Sequence, residues 1–229
     1  PNGAMFKRDK QGFLAELMEK MYTERVVYKK KAIEAKKEFQ KTKDPIYSNE
    51  ISRCHNIQMA KKISLNSAYG AIGNQYFRYF DVKQAEAITL GGQLSIRWVE
   101  RDVNRFMNKL LGTDNKNYVV ASDTDSIYLK LDTLVEKVCK GKSTKQIVEF
   151  LNKAAEDKIQ KVIDDSYQNL AHYVNAYQQK MIMKREAIAN KGIWVAKKRY
   201  MMNVFDEEGV QYDIPKLKIM GVEAVKSST

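Results

Sequence analysis

Tyr118-Val119-Val120-Ala121-Ser122-Asp123-Thr124-Asp125-Ser126-Ile127-Tyr128-Leu129-Lys130-Leu131 sets two short apolar runs on either side of an acidic corner. Bulky and β-branched residues around a polar turn predict two β segments joined as a hairpin. Two carboxylates one residue apart can project to the same side of an extended or turning chain and hold hard divalent cations through oxygen. Phosphoryl transfer to a hydroxyl often uses two such ions roughly 4 Å apart, one on the attacking and one on the leaving oxygen. Asp123 and Asp125 suit that task. The bare pattern is common, since many Asp-x-Asp pairs are solvated turn residues and nucleotide-sugar glycosyltransferases use it too. The flanking strands add weight by placing the pair at the rim of a sheet.

Outward from this corner the chain is mostly helical. On the N-terminal side, Ile96, Val99, Val103, Phe106 and Leu110 mark one face of a helix over 83–111, closed by Gly112 and expected to cover the sheet. Earlier still, Leu14, Leu17, Met18 and Met21 open a long amphipathic helix from Gln11 to about Lys41. Lys43-Asp44-Pro45 should end it, and Ser48 or Asn49 should cap a second helix that stops at Gly70. Two such helices joined by a short polar turn must lie antiparallel. On the C-terminal side, Ile147, Leu151, Ala155, Ile159 and Val162 predict another helix, with helical texture reaching Tyr177. Strands are expected at 181–183, 193–195 and 200–204, with a turn at 207–209.

Composition bounds the partners. The chain has 229 residues, 44% of them hydrophobic, and a net charge of +12. That is enough apolar material for a folded core, so a disordered chain is excluded. No run approaches the roughly 20 apolar residues of a membrane helix, and no export signal opens the sequence. The basic balance favours a polyanionic partner, because clustered Lys and Arg release counterions from a phosphate backbone. Cys54 and Cys139 stand in no metal-ligand spacing and read as buried thiols, and His55 and His172 supply no second half of a zinc site. The abrupt opening at Pro1 suggests a piece of a longer chain.

Lys62, Asn66 and Tyr69 fall on one stripe of the second helix, and Arg25 and Lys29 lie one turn apart on the first. Facing each other, such cations could cradle a triphosphate. As isolated residues Arg25 and Lys29 would read as solvated surface charges.

Three motifs in order then carry a resemblance. Lys62-Ile63-Ser64-Leu65-Asn66-Ser67-Ala68-Tyr69-Gly70 resembles the Lys-x-x-x-Asn-Ser-x-Tyr-Gly motif of the fingers of family B DNA polymerases. Asp123-Thr124-Asp125-Ser126 resembles that family's palm motif, and Lys197-Lys198-Arg199-Tyr200 its Lys-Lys-x-Tyr element. Pro1-Asn2-Gly3, the aromatic run at 76–80 and Pro215 to Gly221 are similar to the replicative polymerases of T-even-type tailed bacteriophages, so the likeness spans essentially the whole chain.

The resemblance implies an α+β fold: an antiparallel palm sheet backed by helices, with an inserted antiparallel two-helix fingers hairpin. Residues 1–10 would lead in from the palm, 11–73 form the fingers and 74–229 the palm. Arg25, Lys29 and Lys62 would grip the phosphates of a deoxynucleoside triphosphate beside Asn66, while Tyr69 and Gly70 face the nascent base pair. Lys197, Lys198, Arg199 and Tyr200 would hold the primer strand. Asp123 and Asp125 would share two Mg2+ ions with an aspartate of an upstream motif that this sequence does not contain. The implied partners are primer-template DNA and the rest of the polymerase (exonuclease domain, N-terminal palm and thumb), with a sliding clamp reached through those regions. The implied setting is the cytoplasm of an infected bacterium, and the piece alone should be inactive. Lys184-Arg185-Glu186 departs from the phage pattern, which commonly has an acidic residue two positions before the glutamate; Glu186 is kept as a palm residue, and Lys184 reads either as part of a DNA-facing basic strip or as a solvated side chain. The rival from another class is a non-catalytic nucleic-acid-binding module whose acidic pair is structural.

Overall fold

The computed structural model describes residues 2–222 and divides into two compact units, one running up to Gly91 and the other from Gly92 onward. The fold is α+β, as expected.

The first unit is an antiparallel helical hairpin followed by a short turn region. Helix α1 spans Phe13–Thr42 and α2 spans Pro45–Ile72. Lys43 closes α1 in the left-handed conformation, at φ 58°, its N–H donating to the Phe39 carbonyl. The start of α2 differs from expectation: Asp44, not Ser48 or Asn49, is the cap, accepting from the Ile46 N–H, and Pro45 is the first helical residue. Proline suits that position because its missing N–H would have had no helical partner there. Nor does α2 stop at Gly70; it runs on to Ile72 and ends at Gly73. Ala32 and Ala35 on α1 and Cys54 on α2 are buried, small enough to let the helices approach closely. Lys61 of α2 pairs with Glu24 of α1. In the turn region Tyr79 packs on Phe13, with ring centroids 4.9 Å apart, and on Phe77.

The long helix α3, Val82–Leu111, passes from the first unit into the second. Its residues Val99, Val103, Met107 and Leu111 recur every four positions and are buried. They form the main core with Tyr118 and Val119 of the following segment, Leu134, and Ile159, Ile163 and Tyr167. Each such side chain contributes on the order of 1.5–3 kcal/mol on burial. Strands β1, Val119–Asp123, and β2, Ser126–Leu129, pair antiparallel as the hairpin expected around the acidic corner. A short helix α4, Asp132–Val138, follows; sequence spacing did not mark it. Helix α5, Thr144–Ala154, opens with a reciprocal Ser143–Gln146 capping box. A single π turn, Ala155–Ile159, joins it to α6, Gln160–Tyr173, so helix ends at Tyr173 rather than Tyr177.

Strands β3, Ala187–Ala196, β4, Arg199–Glu207, and β5, Val210–Met220, form a separate antiparallel sheet in the order β3-β4-β5. The strand expected at 181–183 is absent from it. That segment has no regular structure, and Met183 is buried in the main core with its carbonyl accepting from Gln160, so its apolar character serves packing rather than a ladder. Along β4, Tyr200, Met202, Val204 and Asp206 are buried in alternation, which defines the sheet's inner face. Both cysteines are free and buried, as expected. No helix among the described residues is long and apolar enough to cross a membrane.

Candidate functional site

The acidic corner is a two-residue turn. Asp123 ends β1 opposite Ser126, and Thr124 and Asp125 form the bend. The Asp125 N–H donates to the Asp123 carbonyl at 2.6 Å, and the Ser126 hydroxyl donates to the same oxygen at 3.2 Å. Thr124 lies at φ 55°, a region a β-branched residue enters at a cost of about 1–3 kcal/mol. Its hydroxyl donates to Asp123 Oδ1 at 3.0 Å. Asp125 is exposed and Asp123 half-buried. Burial pushes the Tyr167 phenol of α6 up, and the Asp125 carboxylate adds to that shift. Ionised, the two aspartates are acceptor-only oxygen donors, the kind a hard divalent cation takes. No group of three or more His, Cys, Asp or Glu side chains able to hold a metal gathers among the described residues.

Lys197 and Lys198 form the β3–β4 turn and Arg199 opens β4, all three exposed, with Lys198 at φ 61°. Gly221, at φ 63°, lies behind it: a Cβ there would sit 2.3 Å from the Lys198 carbonyl oxygen, so only glycine fits. Tyr200 is buried. Its phenol is pushed up by burial first, then by Tyr128, and further by the Glu186 and Asp123 carboxylates. Tyr200, next to the turn, thus feels the charge of the acidic corner.

Glu186 accepts from Lys218 Nζ at 2.8 Å, and Lys218 also reaches Glu207 at 3.5 Å. Lys184 is exposed. Between them Arg185 turns inward to Asp206 and Asn152. Sequence reasoning missed the Arg185–Asp206 pair, although Asp206 shares the inward phase of Tyr200, Met202 and Val204. It also missed Tyr128, whose partners are set only by the tertiary fold.

In the helical unit, Lys62, Asn66, Tyr69 and Gly70 are all exposed on α2. Arg25 and Lys29 are half-buried on α1, and Arg25 Nε is buried without a hydrogen-bond partner. An open polar stripe on one helix and a guanidinium with spare donor capacity on the other are suited to an anionic ligand.

A corner of two carboxylates on a β-hairpin, followed by a basic turn on a second sheet and preceded by a helical hairpin, places the chain in DNA polymerase family B, whose sequence profile matches residues 1–164. It is 45% identical over 182 residues to the DNA-directed DNA polymerase of Escherichia phage RB69, and 43% identical over 182 residues to that of Enterobacteria phage T4. Each match covers 75% of this chain and 20% of the phage protein. "DNA polymerase 1" of Pyrococcus abyssi is 27% identical over 98% of this chain and 23% of its own length. The chain therefore spans about a fifth of the length of the curated relatives it matches.

Proposed function

We propose that this chain is the fingers and most of the palm of a template-directed DNA polymerase that adds deoxynucleoside triphosphates to a primer 3′ end. Residues 11–73 act as fingers, residues 74–229 as palm and residues 1–10 as the palm lead-in. The observation that carries the reading is the Asp123-Thr124-Asp125 corner held at a β-hairpin tip, in a chain whose relatives are polymerases.

Asp123 and Asp125 would hold Mg2+ together with an aspartate from a part of the polymerase outside this sequence, and the bound metal would supply charge stabilisation for phosphoryl transfer. The chain's own residues do the rest. Arg25, Lys29 and Lys62 bind the triphosphate and neutralise its charge, with Asn66 beside them. Tyr69 and Gly70 line the nascent base pair. Lys197, Lys198 and Arg199, backed by Tyr200, fix the primer backbone without reading sequence. The remaining partners are the exonuclease domain, the N-terminal palm, the thumb and, through them, a sliding clamp. The phage relatives favour the cytoplasm of an infected bacterium as the setting.

Asp125→Asn in the complete polymerase tests the assignment. Primer extension should fall by about 10²–10³-fold or more, the scale for loss of one electrostatic stabiliser, while primer-template affinity stays within a few-fold. Unchanged extension would instead favour a nucleic-acid-binding module with a structural acidic pair. The 229-residue chain alone should not extend primers; if a separate upstream chain completes the enzyme, mixing the two should restore synthesis.

A further inference from the structure

Among the described residues the two sheets of the second unit share no ladder hydrogen bonds: β1 pairs with β2, and β3, β4 and β5 with one another. Backbone pairing therefore does not set where the Lys197–Lys198 turn lies relative to Asp123 and Asp125. Side chains must do so. At one end of β4, Asp206 is tied through Arg185 to Asn152 of α5. Tyr200, at the turn end, is six residues away, roughly 20 Å along a strand rising ~3.3 Å per residue. An anchor so distant leaves the turn end free to tilt unless something holds it there.

Tyr128 is what holds it. Its neighbours Ile127 and Leu129 pack into the main core, whereas Tyr128 packs on the small cluster of Tyr200, Met202 and Val204. The Tyr128 ring lies 5.0 Å from Trp194 and 5.6 Å from Tyr200, edge-on to both at 66° and 60°. Trp194 and Tyr200 are cross-strand partners just before and just after the turn, stacked at 6.2 Å. Gly192 lets the indole lie flat along β3, since a Cβ there would meet the Trp194 ring at 2.7 Å. By strand alternation Tyr128 shares a hairpin face with Ser126, the residue opposite Asp123. One ring on the acidic hairpin thus touches both strands that carry the basic turn.

We infer that Tyr128 is a positioning residue, which fixes the primer-contacting turn Lys197–Lys198 against the Asp123–Asp125 corner through its edge contacts with Trp194 and Tyr200. The inference rests on the proposed primer-binding role of that turn. Aromatic edge contacts depend on the ring and not on apolar volume alone, so leucine cannot replace tyrosine here, whereas phenylalanine keeps the edge contacts and loses only the phenol's interaction with Tyr200.

The test is primer-template affinity and steady-state extension by the complete polymerase. Tyr128→Leu should weaken primer-template binding about 10-fold and raise the KM for primer-template similarly, with kcat at saturating primer and the KM for nucleotide within two-fold. Tyr128→Phe should recover most of the loss. In a Lys197→Ala/Lys198→Ala background Tyr128→Leu should cost less than two-fold more, because the contacts it positions are already gone. Equal losses in both backgrounds, or a fall in kcat with unchanged primer affinity, would overturn the inference. If Tyr128→Leu does not fold, Trp194→Leu carries the same comparison from the β3 side. Should Lys197→Ala/Lys198→Ala leave primer affinity unchanged while Asp125→Asn abolishes extension, the role of the turn fails, and this inference with it, while the polymerase reading stands.

Discussion

Asp206 is almost fully enclosed, 1% exposed, and its partner Arg185 is 15% exposed. Asp206 Oδ1 also accepts the Gly209 N–H at 2.9 Å, so one carboxylate closes the β4–β5 turn and neutralises a buried guanidinium. Removing only the anion strands a desolvated cation, which costs about 3–5 kcal/mol in comparable pairs. Asp206→Ala should lose that much in urea denaturation. Asp206→Asn, which keeps an acceptor for Gly209, should lose less. Glu50 offers a pH-dependent case. Arg53 donates to its two oxygens at 2.8 and 2.9 Å, and Cys54 Sγ lies 3.2 Å away. Arg53 first, then Cys54, hold the Glu50 carboxyl down at about 2, against an ordinary value of 4.5. A folded-state value below the unfolded one means stability that is fully present above about pH 4.5 and is lost as pH falls toward about 2. Stability measured by denaturant between those limits should fall with acid, and Glu50→Gln should flatten that slope. An unchanged slope in the variant would remove Glu50 as its cause.

At the scale of elements, the junction between α1 and α2 rests on two residues: Lys43 in the left-handed conformation and Asp44 as cap. Asp44→Ala should cost about 1 kcal/mol, read from thermal unfolding by circular dichroism at 222 nm, whereas Ser48→Ala should cost little because Ser48 caps nothing. The same junction shows what sequence could and could not convey. Helical spacing of apolar residues placed α1 and α3, and cap and stop signals placed α2, each to within a few residues. The spacing marked the buried face less well, since Leu17 and Leu110 are exposed while Ala32 and Ala35 are what α1 buries. The start of α2 was misplaced, since Pro45 reads equally as a breaker or as a first helical residue. Gly70 looked like a stop but sits on an exposed helical face, where glycine costs only about 1 kcal/mol. Met181 to Met183 looked like a strand because a short apolar run does not say whether it will pair or merely pack. The acidic corner and the basic turn were legible as motifs. Tyr128, Arg185 and Lys218 were not, because each acquires its partner only when segments many residues apart are brought together.

For the molecule as a whole, charge is the property that most directly constrains its partner. A net charge of +12 over 229 residues draws in a polyanion wherever it is displayed, yet only cations that touch phosphate release counterions on binding. Lys197 and Lys198 sit exposed on a turn whose backbone packs against Gly221, and under the proposed function they make such contacts. Many other lysines of α1 are equally exposed, so net charge alone does not separate contact from bystander. Salt dependence does. Primer-template affinity of the complete polymerase should fall linearly on a log–log plot against salt, by about 0.9 per phosphate neutralised. Replacing Lys197 and Lys198 with alanine should reduce that slope by about two, roughly one per lysine, and weaken binding equally across primer sequences. Fluorescence anisotropy between about 50 and 200 mM salt covers the range in which such slopes are resolved. A weaker affinity with an unaltered slope would mean that the two lysines act on the fold of the turn and not on the phosphates, and a slope reduced for one primer sequence but not another would make the turn a reader of sequence.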